Sequence, residues 1–136
     1  MHKRLYSFLS KYKIIYNLQF GFRESHSTSH ALIYLTENVR KALDESCFSC
    51  GVFVDLQKAF DTVDHDILLY KLNHYGIRGV GNNWFKSYLS NRRQFVCING
   101  ANSKETIVQH GVPQESLLGP LLFLLYINDF NKALKY

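Results

Sequence analysis

Asp55 follows directly on a short apolar run, Cys50-Gly51-Val52-Phe53-Val54, and a carboxylate in that place can do chemistry. A lone charge is very costly to desolvate without a partner, so Asp55 must reach water, a cation or a metal ion. Lys58, three residues on, is the plain structural partner, and Asp55 also suits the opening of a turn. The neighbouring residues strengthen the metal reading. Asp55, Asp61, Asp64 and Asp66 put four carboxylates into twelve residues. Hard cations such as Mg²⁺ take carboxylate oxygens together with substrate phosphates. For Asp61, Asp64 and Asp66 structural roles are the favoured explanation. Asp64 can cap a following helix, and Asp61 and Asp66 lie in or near its first turn, where the helix dipole favours negative charge.

A second constellation is Gly111-Val112-Pro113-Gln114-Glu115-Ser116-Leu117-Leu118-Gly119-Pro120. A proline-stiffened loop with Gln and Ser, opening a helix, can turn an amide and backbone N–H groups toward a nucleotide. On spacing alone, an ordinary loop and helix cap is the favoured reading. Cys47 and Cys50 have metal-like spacing but no second pair, and His26 and His30 lack a third ligand, so structural roles account for all four.

Charge points to a partner. Lys and Arg number 16 against 11 acids, a net charge of +5. Between Asp66 and Glu105 there is no acid at all, while Lys71, Arg78, Lys86, Arg92, Arg93 and Lys104 fall there among Tyr75, Trp84, Phe85, Tyr88 and Phe95. Arg78, Lys86, Arg92 and Arg93 are therefore candidate nucleic-acid contacts, because a basic stretch interleaved with aromatics suits a polyanion with stackable bases. The alternative is a solvated basic face over core aromatics.

The elements that would position these residues follow from periodicity. Residues 2–13 read as a short helix. Leu32, Leu35, Val39 and Leu43 recur at helical spacing after N-cap candidates in 25–29, predicting a helix over 29–44. Residues 50–54 read as a buried strand ending at Asp55. Asp64 caps a helix stopped by Gly76, and another helix follows near 81–90. Residues 94–98 and 105–108 form strands of a hairpin turning at Asn99-Gly100. An apolar helix runs over about 120–135, its Leu121 to Leu125 stripe being core packing. Strands with helices segregated to one side give an α+β layer. At 136 residues, 46% of them hydrophobic, the chain can bury one core and is no disordered tract. Its longest apolar stretch is too short to cross a bilayer, so no membrane is expected, and the N-terminus lacks an apolar signal core. Three Cys cannot all pair within one chain and suit a reducing compartment.

Several blocks, taken jointly and in order, resemble the reverse transcriptase of non-LTR (LINE-type) retrotransposons. They are Gln19-Phe20-Gly21-Phe22-Arg23, His26-Ser27-Thr28, Phe53-Val54-Asp55-Leu56-Gln57-Lys58-Ala59-Phe60-Asp61, residues 68–80, Trp84-Phe85-Lys86-Ser87-Tyr88-Leu89, and 111–120. The resemblance implies that Asp55 is the first catalytic aspartate and binds Mg²⁺ in the polymerase palm. It implies that Phe60 is the aromatic gate whose ring would collide with a ribose 2′-OH. Gln114 would contact the incoming nucleotide on a loop shaped by Gly111 and Pro113, and Arg23 would support the template or the fold. The implied reaction is attack of a primer 3′-hydroxyl on the α-phosphate of a dNTP with two-metal assistance. The implied partners are an RNA template, a DNA primer and dNTPs.

Two departures qualify the resemblance. The sequence ends at Tyr136, before the family's (Phe/Tyr)-Ala-Asp-Asp hairpin, and the upstream fingers and the thumb are not in it. Tyr126-Ile127-Asn128-Asp129 matches a helix end of the family rather than that metal site. The family also usually has Gly where this chain has Glu115, a bulkier and negatively charged residue near phosphates. The expectation is thus an incomplete reverse transcriptase domain over 1–136, α+β, a partial palm with some fingers and inactive alone. The alternatives are a non-catalytic nucleic-acid-binding remnant and a translated pseudogene product. Exposed sheet edges would favour self-association.

Overall fold

The computed structural model describes residues 1–113 and 116–133. The chain folds as mixed helix and small sheets, in the order α1 (His2–Lys11), α2 (Thr28–Asp44), α3 (His65–His74), α4 (Val80–Leu89), β1 (Arg93–Gln94), β2 (Cys97–Ile98), β3 (Ala101–Asn102), β4 (Thr106–Ile107), α5 (Leu118–Ile127) and α6 (Phe130–Ala133).

The core is built around α5. Every residue of Leu118–Leu125 except Pro120 is buried, which is how a helix that is apolar all round must sit. Leu5 and Leu9 of α1, Leu68 and Leu72 of α3, and Phe85 and Leu89 of α4 complete the core, each fully buried leucine contributing about 1.5–3 kcal/mol. The expected apolar helix over 120–135 is interrupted at Asn128-Asp129, so that α6 follows as a separate turn. Asn128 explains the break. Its Oδ1 accepts from the Tyr16 amide at 2.8 Å and its Nδ2 donates to the Ile14 carbonyl at 2.8 Å, tying the end of α5 to the loop after α1.

Local signals set the ends of α3. The Asp64 carboxylate accepts from the Ile67 amide at 2.9 Å, as its capping role requires. At the other end Gly76 takes φ +94°, Ile77 donates to the Leu72 carbonyl and Gly76 to that of Asn73, a Schellman closure. Asn82 then ties α4 to α3 through bonds to the Leu69 and Ile77 carbonyls.

The hairpin forms as two short antiparallel ladders. Arg93 lies opposite Ile107 and Gln94 opposite Thr106, while Cys97 pairs with Asn102 and Ile98 with Ala101. Asn99 and Gly100 both adopt positive φ, 50° and 82°, matching the right-handed twist that a two-residue turn must follow.

One element differs from the sequence-based expectation. Residues 50–54 are not a buried strand: Val52, Phe53 and Val54 are 78%, 83% and 64% exposed, with no ladder partner among the described residues. A β-rich composition fixes only a preference, and a strand exists when another strand satisfies its amides and carbonyls. Similarly, α2 forms on the expected residues with the Ser27 side chain as its cap, yet it buries none of them. No described helix is long and apolar enough to cross a membrane.

Candidate functional site

Phe60 is where the separated sequence blocks meet. Its carbonyl accepts from the Val112 amide at 2.9 Å, and Gly111 donates to the Val63 carbonyl at 2.7 Å. The Phe60 ring lies 4.7 Å from that of Phe123 in α5 and meets Phe22 edge-on at 5.8 Å. Phe22, Phe60, Asp61, Gly111, Val112 and Phe123 thus share one cluster, with Phe60 at its centre and half-buried.

Gly111 permits this contact. It is buried with φ +84°, and a Cβ there would lie 2.9 Å from the Cα and carbonyl oxygen of Asp61 and 3.0 Å from the Phe60 oxygen. Both the backbone angle and the space exclude other residues. The Gly111 carbonyl is held as well: Arg92 Nη2 donates to it at 2.6 Å, and His65 Nε2 lies 2.8 Å away. Pro113, half-buried, offers its carbonyl to the Ser116 hydroxyl at 2.8 Å, and that hydroxyl accepts from the Gly119 amide at 2.9 Å, which starts α5.

Gln114 and Glu115 lie outside the described residues. Asp55 is exposed, and its carboxylate has no partner among the described residues. Among those residues no group of three or more His, Cys, Asp or Glu is gathered closely enough to hold a metal ion. A magnesium ion takes one or two carboxylates together with substrate phosphate oxygens, so exposed Asp55 could supply one ligand but would need others that are not gathered around it among the described residues.

The basic residues divide by location. Arg23 commits its Nη1 to the Tyr16, Asn17 and Gln19 carbonyls at 3.1, 3.4 and 3.2 Å, so it organises the loop before α2. Arg92 is turned inward onto Gly111. Arg78 is exposed and bonds the Asn73 carbonyl at 3.2 Å through Nε, Lys86 is exposed on α4, and Arg93 pairs with Glu105 at 3.2 Å on the exposed hairpin.

Sequence reasoning missed two arrangements. His65 carries no motif signal, since its role depends on a carbonyl far along the chain. Lys71 Nζ meets Asp129 Oδ1 and the Tyr126 carbonyl, both at 2.5 Å, and the hydrogen bond from Lys71 is the main reason that the Asp129 carboxyl titrates below its ordinary value. Asp129 is thereby a lock between α3 and α5.

The family model described as reverse transcriptase (RNA-dependent DNA polymerase) matches residues 1–136. The probable RNA-directed DNA polymerase from transposon BS of Drosophila melanogaster is 36% identical over 132 residues, which are 93% of this chain and 14% of that protein. The probable RNA-directed DNA polymerase from transposon X-element of the same fly shows the same identity and coverage. The RNA-directed DNA polymerase from mobile element jockey, also of Drosophila melanogaster, is 34% identical over 123 residues, 86% of this chain and 13% of that protein. The chain therefore spans about one-seventh of the length of these relatives. No solved structure matches it.

Proposed function

The chain belongs to the reverse transcriptase (RNA-dependent DNA polymerase) family, and from that premise we propose that it is the palm-and-fingers part of a non-LTR retrotransposon polymerase that copies RNA into DNA. In the longer polymerase Asp55 supplies one of the carboxylates that Mg²⁺ requires, and Phe60 faces the sugar of the incoming dNTP. Gly111 and Pro113 shape the loop that carries Gln114 to the nucleotide. When bound, the metal supplies charge neutralisation at the reacting phosphate. This chain's own residues position the sugar and hold the nucleotide loop.

One observation carries the reading. The backbone of Phe60 and the backbone of Gly111-Val112 are hydrogen-bonded to each other. A sugar-reading ring and a nucleotide-contacting loop must be neighbours to act on one substrate, and these two are. The exposed cations Arg78, Lys86 and Arg93 would meet the phosphates of template and primer, with Arg23 supporting the fold behind them.

A second reading, that this segment alone binds nucleic acid without catalysis, is favoured by the exposed cations Arg78 and Lys86, with no metal-holding group of acids gathered among the described residues. Filter binding of primed RNA across a salt series separates the two when paired with Mg²⁺-dependent primer extension by the full reading frame that carries the segment. Extension supports the polymerase. Salt-dependent binding with no extension from the full frame supports the remnant.

A further inference from the structure

We propose that Arg92 and His65 are positioning residues that together grip the Gly111 carbonyl and thereby fix Phe60 for sugar discrimination. The inference rests on the reading of Phe60 as the residue that faces the nucleotide sugar.

Arg92 lies just beyond the end of α4, and His65 opens α3. Their nitrogens converge on one oxygen, at 2.6 Å from Arg92 Nη2 and 2.8 Å from His65 Nε2. A carbonyl oxygen has two lone pairs and can serve both donors at once, provided His65 carries a proton on Nε2. The guanidinium bond is charge-assisted and therefore the stronger of the two.

Arg92 is committed to this task in a way that its place in the basic stretch conceals. Its Nη2 also lies 3.5 Å from the His110 carbonyl, and its Nε is buried with no hydrogen-bond partner among the described residues. Leaving a buried donor unpaired is costly, and a solvated surface cation would avoid that cost. Arg93, next in sequence, instead faces outward to Glu105.

What the grip holds is stiff. The Gly111 main chain sits against the backbone of Asp61 and Phe60 too closely to admit a Cβ, and the Val112 amide is bonded to the Phe60 oxygen. Any displacement of Gly111 therefore reaches the Phe60 main chain. Discrimination against a 2′-hydroxyl depends on a ring held in place, so a small shift is enough to weaken it.

Two measurements test the proposal with Arg92→Gln, His65→Phe and His65→Gln. In the 136-residue chain, amide hydrogen exchange at Gly111 and Val112 should quicken about tenfold or more in Arg92→Gln and His65→Phe, while Leu68 and Leu72 amides in α3 keep their protection. His65→Gln, which restores an N–H donor, should keep the native rate. Unchanged exchange at Gly111 and Val112, or equal loss in α3, would overturn the grip. In the full reading frame, Arg92→Gln should lower the ratio of dNTP to rNTP incorporation about fivefold or more. A merely structural defect would depress both substrates in proportion, and an unchanged ratio would overturn the positioning role while leaving the polymerase reading intact. Failure of the unsubstituted frame to extend any primer would instead overturn that polymerase reading, and the sugar-positioning claim with it.

Discussion

Val112 donates its amide to the Phe60 carbonyl at 2.9 Å, and through that bond two segments far apart in the chain become a single surface. The Asp55–Phe60 segment has no ladder partner among the described residues, so it relies on this attachment for its position. The attachment in turn depends on Gly111, whose backbone no side-chain-bearing residue can imitate.

Gly111→Ala should therefore be among the most damaging single-methyl additions in the chain. It combines a positive φ with a 2.9 Å approach to the Asp61 backbone. A loss of about 2 kcal/mol or more in urea-unfolding free energy is expected, with Gly100→Ala in the open hairpin turn costing about half as much or less.

Phe60→Ala removes a ring packed between Phe22 and Phe123. Because the ring is only half-buried, the expected cost in urea unfolding is about 2–3 kcal/mol, below the range for a fully buried aromatic. Phe60→Val, placed in the full reading frame, should admit ribonucleotides more readily, read as a rise in rNTP incorporation relative to dNTP.

Acid titration should expose the lock between Lys71 and Asp129. The folded carboxyl titrates below its ordinary value of 3.8, so the pair's contribution is fully present above that pH and is lost as pH falls through the lower folded value. Asp129 is 44% exposed at its side chain, so the contribution is at most about 1 kcal/mol. Asp129→Asn should be less stable than the unsubstituted chain at pH 6, and the gap should close below pH 3.8. Chemical denaturation at a series of pH values measures it.

Lys86 and Arg23 should behave oppositely in nucleic-acid binding. Lys86→Gln should leave the melting temperature unchanged and reduce the slope of log K against log salt by about one, the effect of one lost phosphate contact. Arg23→Gln should chiefly lower the melting temperature, because its Nη1 holds three backbone carbonyls of the preceding loop.

The parts of the fold that were legible in the sequence are those governed by neighbours in the chain. The Ser27 and Asp64 caps, the Gly76 stop, the Asn99-Gly100 turn and the buried Leu121–Leu125 stripe all depend on residues within one or two turns. The strand expected over 50–54 failed because a strand is completed by its partner, and composition carries no information on whether one is present. His65 and Arg92 were illegible for a related reason: their target is a backbone oxygen, which has no residue type to betray it. Asp55, Phe60 and Gly111 stood out by motif, yet only the folded chain brings the last two together.

The most direct measurement is primer extension on an RNA template with Mg²⁺, comparing the full reading frame with its Asp55→Asn form. On the proposed assignment of Asp55 to the metal, its loss would remove several kcal/mol of transition-state stabilisation, so extension should fall about a thousandfold while salt-dependent binding of the primed template persists. Extension by Asp55→Asn at a rate within about threefold of the unsubstituted protein, a difference under 1 kcal/mol, would contradict the assignment of Asp55 to the metal and with it the polymerase role proposed for this segment.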